Sequence, residues 1–401
     1  MKIFEIWLRY WGSFLRIMYR RSLMKCLRCG NEDPDFFYKG SKGYYCRKCI
    51  RFKRVLLEEE LDSFDYEIAP DAGEYHFSYE LTDKQKKASA DCLKLLKEGN
   101  DVLLHCVCGA GKTEIAVESI SYYLKRGLKV AYAISRKEVV IELSQRFTDI
   151  FPTSRVIAVY GGHHEKLSGD LIVCTCHQLY RYYRSFDLLI LDEVDAFPLK
   201  GDETLMNIAV NSCKGRIIFS TATIDEDLQK VLQVRDAKAV ELFVRPSLRP
   251  LSVPKQIYLR RFPAYLYLYR LMSLTANRCI IFVSNRRDCR LLYQIFSRFF
   301  SCTYVYSDLK ERKENIEAFR KGKYQFIFST SVLERGITIK DIDVIILDHD
   351  GIFDESNLVQ MLGRVGRGID SDQGRSFLLA DKKDREIKET ISYLQRANSC
   401  L

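Results

Sequence analysis

The segment from Asp101 to Leu124 constrains the fold of this chain more than any other part of the sequence. The mostly apolar run Asp101–Cys106 predicts a buried strand, and Glu114–Leu124 predicts a helix. The turn between them is glycine-rich and ends in Lys-Thr, although Cys106 stands where the usual pattern has its first glycine. Strand, glycine turn and helix in this order are typical of a phosphate-binding loop in a parallel α/β sheet.

The turn itself predicts a nucleoside triphosphate as ligand, with ATP as the expected nucleotide. Glycines let the backbone curl so that its N–H groups face phosphate oxygens, here at Gly109, Ala110 and Gly111. Lys112 should reach the β- and γ-phosphates, and the Thr113 hydroxyl should coordinate Mg²⁺.

An acidic segment further along the chain fits the same nucleotide site. Phe186–Leu191 is an apolar strand that runs directly into Asp192-Glu193-Val-Asp195. Asp192 at the end of the strand should hold Mg²⁺, and Glu193 should activate the attacking water as a general base. An acidic turn after a core strand is the simpler interpretation, but the upstream phosphate loop favours the catalytic one.

A second α/β unit follows a proline-rich segment, Arg245–Pro254, which predicts an extended linker. Arg278–Val283, Gln325–Ser329 and Val344–Asp348 predict further buried strands. Near the end, the segment QMLGRVGR places Arg364 and Arg367 three residues apart, so one helical face can direct both towards a γ-phosphate.

The N-terminal segment carries the positive charge of the chain. Residues 1–54 hold 14 Lys or Arg and four Asp or Glu, a net charge of +10, which is the net charge of all 401 residues. Residues 55–401 are therefore close to neutral. A basic segment with interleaved aromatic residues favours a polyanionic partner, either nucleic acid or an anionic membrane.

Four of the 14 cysteines form two Cys-x-x-Cys pairs with sixteen residues between the pairs. This spacing predicts a structural Zn²⁺ site with four thiolate ligands, Cys26, Cys29, Cys46 and Cys49. No secretory signal precedes them, because charged residues interrupt the apolar start of the chain, so a cytoplasmic protein is expected.

Large apolar residues of that start recur at helical spacing: Phe4, Trp7, Trp11, Phe14 and Met18. They predict a helix that either packs on the following domain or presents an aromatic, basic surface to a membrane or to single-stranded bases.

The order of these motifs resembles that of superfamily 2 helicases. Asp192–Asp195 resembles motif II, Ser220–Thr223 motif III, Thr330–Thr338 motif V and Gln360–Arg367 motif VI. The resemblance implies α/β architecture with two tandem RecA-like motor domains, preceded by the four-cysteine element. It also implies nucleotide contacts from Gln85 and Gly336. The residues matching strand-contacting motifs are Ser135, Arg136, Gly161, Gly162, Thr175, His177, Gln178, Ser284 and Thr330.

The loop Val107–Glu114, the segment Leu191–Pro198 and the leading cysteines resemble the ComFA family of late-competence ATPases. The resemblance implies ATP-driven movement of incoming single-stranded DNA at the inner face of the cell membrane. Partners would be the competence DNA channel and cytoplasmic competence proteins; peripheral membrane association and an oligomer are both compatible with this role. Alternatives are a primosomal replication-restart helicase, whose zinc cysteines are expected within the helicase core, and an idle DNA-binding adaptor.

Three domains are expected: a basic zinc-binding segment over residues 1–65, an ATP-binding motor domain over 78–245 and a second motor domain over 255–401. Only 34 residues follow Arg367, enough for one strand and one helix. We therefore expect a single-strand translocase rather than a strong duplex unwinder.

Overall fold

The computed structural model describes residues 24–335, 339, 341–366 and 374–401. The helix predicted for the first 22 residues lies outside the described part of the chain, as do Gly336 and Arg367. The described residues form a small N-terminal hairpin and two parallel α/β sheets in sequence.

The N-terminal element is built on an antiparallel pair of short strands, β1 (Phe37–Gly40) and β2 (Gly43–Cys46). Each Cys-x-x-Cys pair lies beside this hairpin, and all four cysteines are buried. Phe37 and Cys46 face each other across the strands, so the inner face of the hairpin points towards the cysteine cluster.

The first sheet has seven strands in the order β5-β6-β4-β7-β8-β3-β9, all parallel. Its strands are β3 (Val102–Cys106), β4 (Val130–Ile134), β5 (Val156–Val159), β6 (Leu171–Thr175), β7 (Phe186–Asp192), β8 (Cys213–Thr221) and β9 (Lys238–Leu242). Its helices are α1 (Asp83–Lys97), α2 (Lys112–Leu124), α3 (Lys137–Ile150), α4 (Glu203–Ser212) and α5 (Glu226–Val234).

The second sheet has six parallel strands in the order β10-β15-β14-β11-β13-β12. They are β10 (Lys255–Tyr258), β11 (Arg278–Val283), β12 (Cys302–Val305), β13 (Phe326–Ser329), β14 (Ile342–Asp348) and β15 (Ser376–Ala380). Its helices are α6 (Arg261–Ser273), α7 (Arg286–Phe296), α8 (Arg312–Arg320), α9 (Glu355–Leu362) and α10 (Arg385–Asn398).

The central strands are mostly apolar and buried because helices cover both faces of each sheet. All five residues of β4 are buried, as are all seven of β14. Helix α7 begins at Arg286, where the Asn285 side chain caps it by accepting a hydrogen bond from the Asp288 N–H. Strand β6 ends at Thr175, and Cys176 begins a 3₁₀ turn that runs to Arg181.

Parallel strands place the loops that follow them at one edge of a sheet. The glycine turn after β3 and the acidic segment after β7 therefore lie at the same edge of the first sheet. Within the described residues, every helix is too short or too polar to span a bilayer.

Candidate active site

Most of the predicted nucleotide residues line one cavity of about 450 Å³ between the two α/β domains. Ala110 is buried and does not line it. Most of its wall comes from the first domain, and Gln360 and Gly366 close it from the second. The first-domain residues include Tyr79, Gln85, Gly109, Gly111, Lys112, Thr113, Asp192, Glu193 and Arg245.

The glycine turn has the backbone geometry that its sequence requires. Gly109 and Gly111 have φ values of 84° and 88°, in the left-handed region that favours glycine. A Cβ on Gly111 would lie 2.3 Å from Gln85 Nε2, which donates to the Ala110 carbonyl at 2.9 Å. Gln85 also closes a capping box with Thr82 at the start of α1, so the helix position fixes the turn.

Asp192 at the end of β7 is held by three donors: two hydroxyl groups and the Glu193 N–H, which donates to its Oδ1 at 2.9 Å. The Tyr132 hydroxyl donates to its Oδ2 at 2.7 Å, and the Ser220 hydroxyl donates to its Oδ1 at 2.7 Å. Burial raises the pKa of Asp192, and the neighbouring Glu193 charge adds to the rise. Tyr132 was not anticipated from the sequence, where it is one apolar-looking position in a buried strand.

The donor set in this corner fits Mg²⁺. The Thr113 hydroxyl lies 3.5 Å from the Tyr132 hydroxyl that contacts Asp192, so a hydroxyl and a carboxylate converge there. Hard oxygen ligands of this kind are the ones that Mg²⁺ prefers. Glu193 follows directly with a left-handed φ of 53°, which turns the chain sharply at the cavity wall.

Asp195 forms a buried connection between the domains. Both terminal nitrogens of the Arg335 guanidinium group donate to its carboxylate, at 3.3 and 3.2 Å. The Ser356 hydroxyl also donates to it, at 2.8 Å. Burial opposes ionisation of Asp195, but the Arg335 charge outweighs it and holds the pKa of Asp195 well below its usual range. Arg335 also lies 3.6 Å from a Glu193 carboxylate oxygen.

Helix α9 brings the predicted arginine motif against the glycine turn. The Cys108 thiol donates to Gln360 Oε1 at 3.0 Å, and a Cβ on Gly363 would lie 2.7 Å from Cys108 Cβ. Arg364 is 2% exposed, and its Nε donates to the Glu334 carbonyl at 3.0 Å. The structure thus places Arg364 in the domain interface, in the turn that carries the cavity residue Gly366.

Arg245 joins the same two elements, although its sequence context predicts only a linker. Its Nε donates to the Cys108 carbonyl at 2.9 Å, while its terminal nitrogens donate to the carbonyls of Gly363 at 2.9 Å and Val365 at 2.7 Å. These two carbonyls follow helix α9, where unpaired backbone acceptors favour a cation. No motif pattern could have identified Arg245.

The residues predicted to contact a nucleic acid strand follow neighbouring strands of each sheet. In the first domain, the pairs at 135–136, 161–162 and 177–178 follow β4, β5 and β6, which are adjacent. In the second domain, Ser284 follows β11 and Thr330 follows its neighbour β13. The loops therefore gather at one edge of each sheet.

Their individual environments differ. Gly161, Gly162 and His177 are exposed, whereas Thr175 is 7% exposed. Arg136 reaches the second domain, where it donates to the Val332 carbonyl at 2.8 Å. In this arrangement its guanidinium connects the domains.

Ser284 and Thr330 line a shallow depression on the second domain together with Asn285, Arg286 and Arg287. The two arginines add positive charge beside the predicted contacts. Their position directly after a predicted strand, as a pair of adjacent arginines, is the sequence signal that could have identified these two residues.

The four predicted zinc ligands come together as a buried cluster. Their sulfur atoms all lie within 4.8 Å of one another, with Cys26–Cys49 at 3.7 Å and Cys29–Cys46 at 3.8 Å. Four sulfurs at about 2.3 Å from one tetrahedral Zn²⁺ lie about 3.8 Å apart. The cluster therefore fits a structural zinc site with no open coordination position.

Two protein families match the chain. The DEAD/DEAH box helicase family matches residues 82–231, and the helicase conserved C-terminal domain family matches residues 263–368. These matches show an ATP-dependent superfamily 2 helicase.

Solved helicases share the fold at low identity. A Saccharomyces cerevisiae Dbp5 variant bound to RNA and ADP BeF3 aligns with a TM-score of 0.57 and 17% identity, covering 82% of this chain and 94% of that one. The Mycobacterium smegmatis helicase Lhr, bound to ssDNA and AMP-PNP, aligns with a TM-score of 0.56 and 17% identity, over 79% and 50%. The predicted fold, two RecA-like domains behind a four-cysteine element, is confirmed.

Two competence proteins match the chain at higher sequence identity than these solved helicases do. The competence protein ComFA of Streptococcus pneumoniae is 33% identical over 93% of this chain and 90% of its own length. The ComFA protein of Bacillus subtilis is 28% identical over 93% and 85%. The chain belongs to the ComFA family of competence proteins.

Proposed function

We propose that this protein is an ATP-driven translocase on single-stranded DNA that helps to take up transforming DNA. The observation that carries the proposal is the cavity between the domains, where Lys112, Asp192 and Glu193 from one domain meet Gln360 and the Arg364 turn from the other. A site shared by two domains opens and closes as its ligand changes, so hydrolysis can move the domains along a strand.

The roles of the residues follow from their positions around the cavity. The N–H groups of Gly109, Ala110 and Gly111 hold the phosphates, with Lys112 as their cation. Thr113 and Asp192 would hold Mg²⁺, which would supply positive charge beside the phosphates.

Glu193 accepts the proton of the attacking water as general base. Arg364, with Arg367 as its predicted partner, stabilises charge that develops during phosphoryl transfer. Because Arg364 belongs to the second domain, hydrolysis depends on closure of the domains onto the nucleotide.

Single-stranded DNA is the proposed track. The loops that hold Ser135, Gly161, His177, Ser284 and Thr330 lie at neighbouring strand ends of the two sheets. Hydroxyls, backbone N–H groups and arginines contact phosphates without reading sequence. A competence DNA channel and cytoplasmic competence proteins are the proposed partners, at the inner face of the membrane.

ATP turnover with and without single-stranded DNA tests the proposal. We expect poly(dT) to stimulate turnover at least tenfold, and Lys112→Ala to abolish it. Displacement of streptavidin from a biotinylated strand should need ATP and should fail in Glu193→Gln. Turnover that ignores DNA, or that responds to RNA alone, would contradict the proposal, and an absence of turnover under any condition would favour the adaptor alternative.

A further inference from the structure

The outer face of the zinc element alternates tyrosine and arginine. Tyr38 and Tyr45 lie directly opposite each other on β1 and β2, with ring centroids 5.7 Å apart. The Arg47 guanidinium lies 5.8 Å from the centroid of Tyr38, and that of Arg54 lies 4.7 Å from the centroid of Tyr45. We call these four side chains the tyrosine–arginine face.

This face is open and positively charged. Tyr38 is 54% exposed, and Arg47 and Arg54 are exposed as well. Residues 24–54 contain nine Lys or Arg and three Asp or Glu, a net charge of +6, whereas the five acidic residues of 55–65 bring residues 24–65 to +1, so the positive charge is local to the hairpin. Within the described residues, no ion pair within 4.0 Å involves Arg47 or Arg54, and the nearby Glu58 carboxylate accepts a hydrogen bond from the Tyr44 N–H at 3.3 Å.

The zinc element is fixed beside a loop of the proposed DNA track. The Phe52 ring packs against His177 and Tyr180 of the 3₁₀ turn after β6, with centroid distances of 6.1 and 6.0 Å. Lys48 pairs with Glu203 at 3.0 Å, and Arg51 pairs with Asp202. Contacts from both an aromatic residue and ion pairs hold the element at this edge of the first domain.

We propose that the tyrosine–arginine face binds single-stranded DNA and extends the track beyond the motor domains. This inference rests on the proposed function. Bases stack on tyrosine rings, and arginines beside those rings pair with the adjoining phosphates, a combination that grips a strand without reading its sequence. Interfacial membrane binding buries a contiguous apolar face, whereas here each tyrosine ring is paired with a guanidinium group.

The test compares oligo(dT) strands of increasing length by fluorescence anisotropy, using full-length protein. In Tyr38→Ala/Arg47→Ala, we expect long strands to bind at least tenfold more weakly, while short strands that fill only the motor loops bind as in wild type. The slope of log Kd against the logarithm of the salt concentration should become shallower by about 0.7 for each phosphate contact that is lost. Tyr38→Phe should keep the affinity, because phenylalanine also stacks.

Lys25→Ala is the matched control, since Lys25 belongs to the same element but pairs with Glu32 at 2.7 Å. Zinc content close to one ion per chain in each variant shows that the element is folded. The maximal DNA-stimulated turnover should stay at the wild-type value, with only a higher DNA concentration needed to reach it.

Identical length dependence in the double variant and wild type would overturn the inference while leaving the proposed function intact. Loss of binding to phosphatidylglycerol vesicles, with DNA binding unchanged, would assign the face to a membrane instead. If wild-type turnover does not respond to single-stranded DNA, the proposed function fails, and the inference fails with it.

Discussion

The Arg245 side chain contacts both domains. It is 4% exposed, and it donates to carbonyls of the glycine turn and of the turn after α9. In the proposed mechanism the glycine turn binds phosphate and the second turn carries Arg364, so the spacing between the two turns would determine whether both engage one nucleotide. We therefore propose that Arg245, which also lines the cavity, is a positioning residue.

Replacing Arg245 with alanine should lower kcat by about 10- to 100-fold and change the KM for ATP by less than about threefold. The glycine turn keeps its own phosphate contacts, but the second domain loses its connection to it. Steady-state turnover at saturating single-stranded DNA measures both constants. Arg270→Ala, an exposed arginine on α6, is the control.

Arg245→Lys should recover little activity, since a single ammonium group cannot reach three carbonyls in the way that a guanidinium does. A raised KM with unchanged kcat in Arg245→Ala would instead place Arg245 in ATP binding.

Asp348 gives the second domain a pH-dependent stability. It ends β14 at 3% exposure, and burial raises its pKa to about 6. A carboxyl group in the unfolded chain titrates near 4, so the folded state binds the proton more tightly and loses stability as pH rises from about 4 to 6. Asp348→Asn should gain stability relative to wild type over this window, by about 1 to 2 kcal/mol. Urea unfolding at several pH values measures the difference, and a constant difference would contradict the assignment.

At the scale of elements, the sequence predicted the features that depend on residues close together in the chain. The apolar runs that become β3, β7 and β14 are continuous because helices bury both faces of a parallel sheet, so pattern alone located them. Cysteine spacing likewise predicted the cluster of sulfur atoms. Contacts between domains leave no such pattern: the Arg245 bonds join residues more than 100 positions apart. The roles of Tyr132 and Arg245 therefore became visible only in three dimensions.

The zinc element should depend on its metal. Cys26→Ser removes one of four buried thiolates, and we expect the zinc content to fall from about one ion per chain to near zero. Among the described residues, those that line the nucleotide cavity do not belong to the zinc element, so turnover without DNA should change little. Cys400→Ser is the control, because Cys400 is exposed and distant in sequence. Full zinc content in Cys26→Ser, measured by atomic absorption, would refute the four-thiolate site.

Across the whole molecule, a buried ion pair links the acidic segment to the second domain. Asp195 and Arg335 are 3% and 2% exposed, and the pKa of Asp195 lies below its usual range because the attraction of Arg335 outweighs burial. The pair stabilises the folded protein at any pH above the usual pKa of an aspartate side chain. This stabilisation is lost only when the pH falls through the lower pKa that Asp195 has in the folded state. The Asp195–Arg335 pair therefore stays charged near neutrality.

In the proposed mechanism, closure of the domains serves both ligands, so nucleotide binding and DNA binding should strengthen each other by the same factor. AMP-PNP should tighten single-stranded DNA binding by a factor between about 5 and 150, and DNA should tighten AMP-PNP binding by the same factor. Arg335→Ala should reduce that factor towards one while each ligand alone still binds, since Arg335 connects the domains and the ligand loops stay in place. Arg270→Ala should keep the wild-type factor. Fluorescence titrations with each ligand, alone and with the other saturating, give all four dissociation constants. If Arg335→Ala weakened each ligand alone but kept the factor, the pair would stabilise the fold without coupling the two sites.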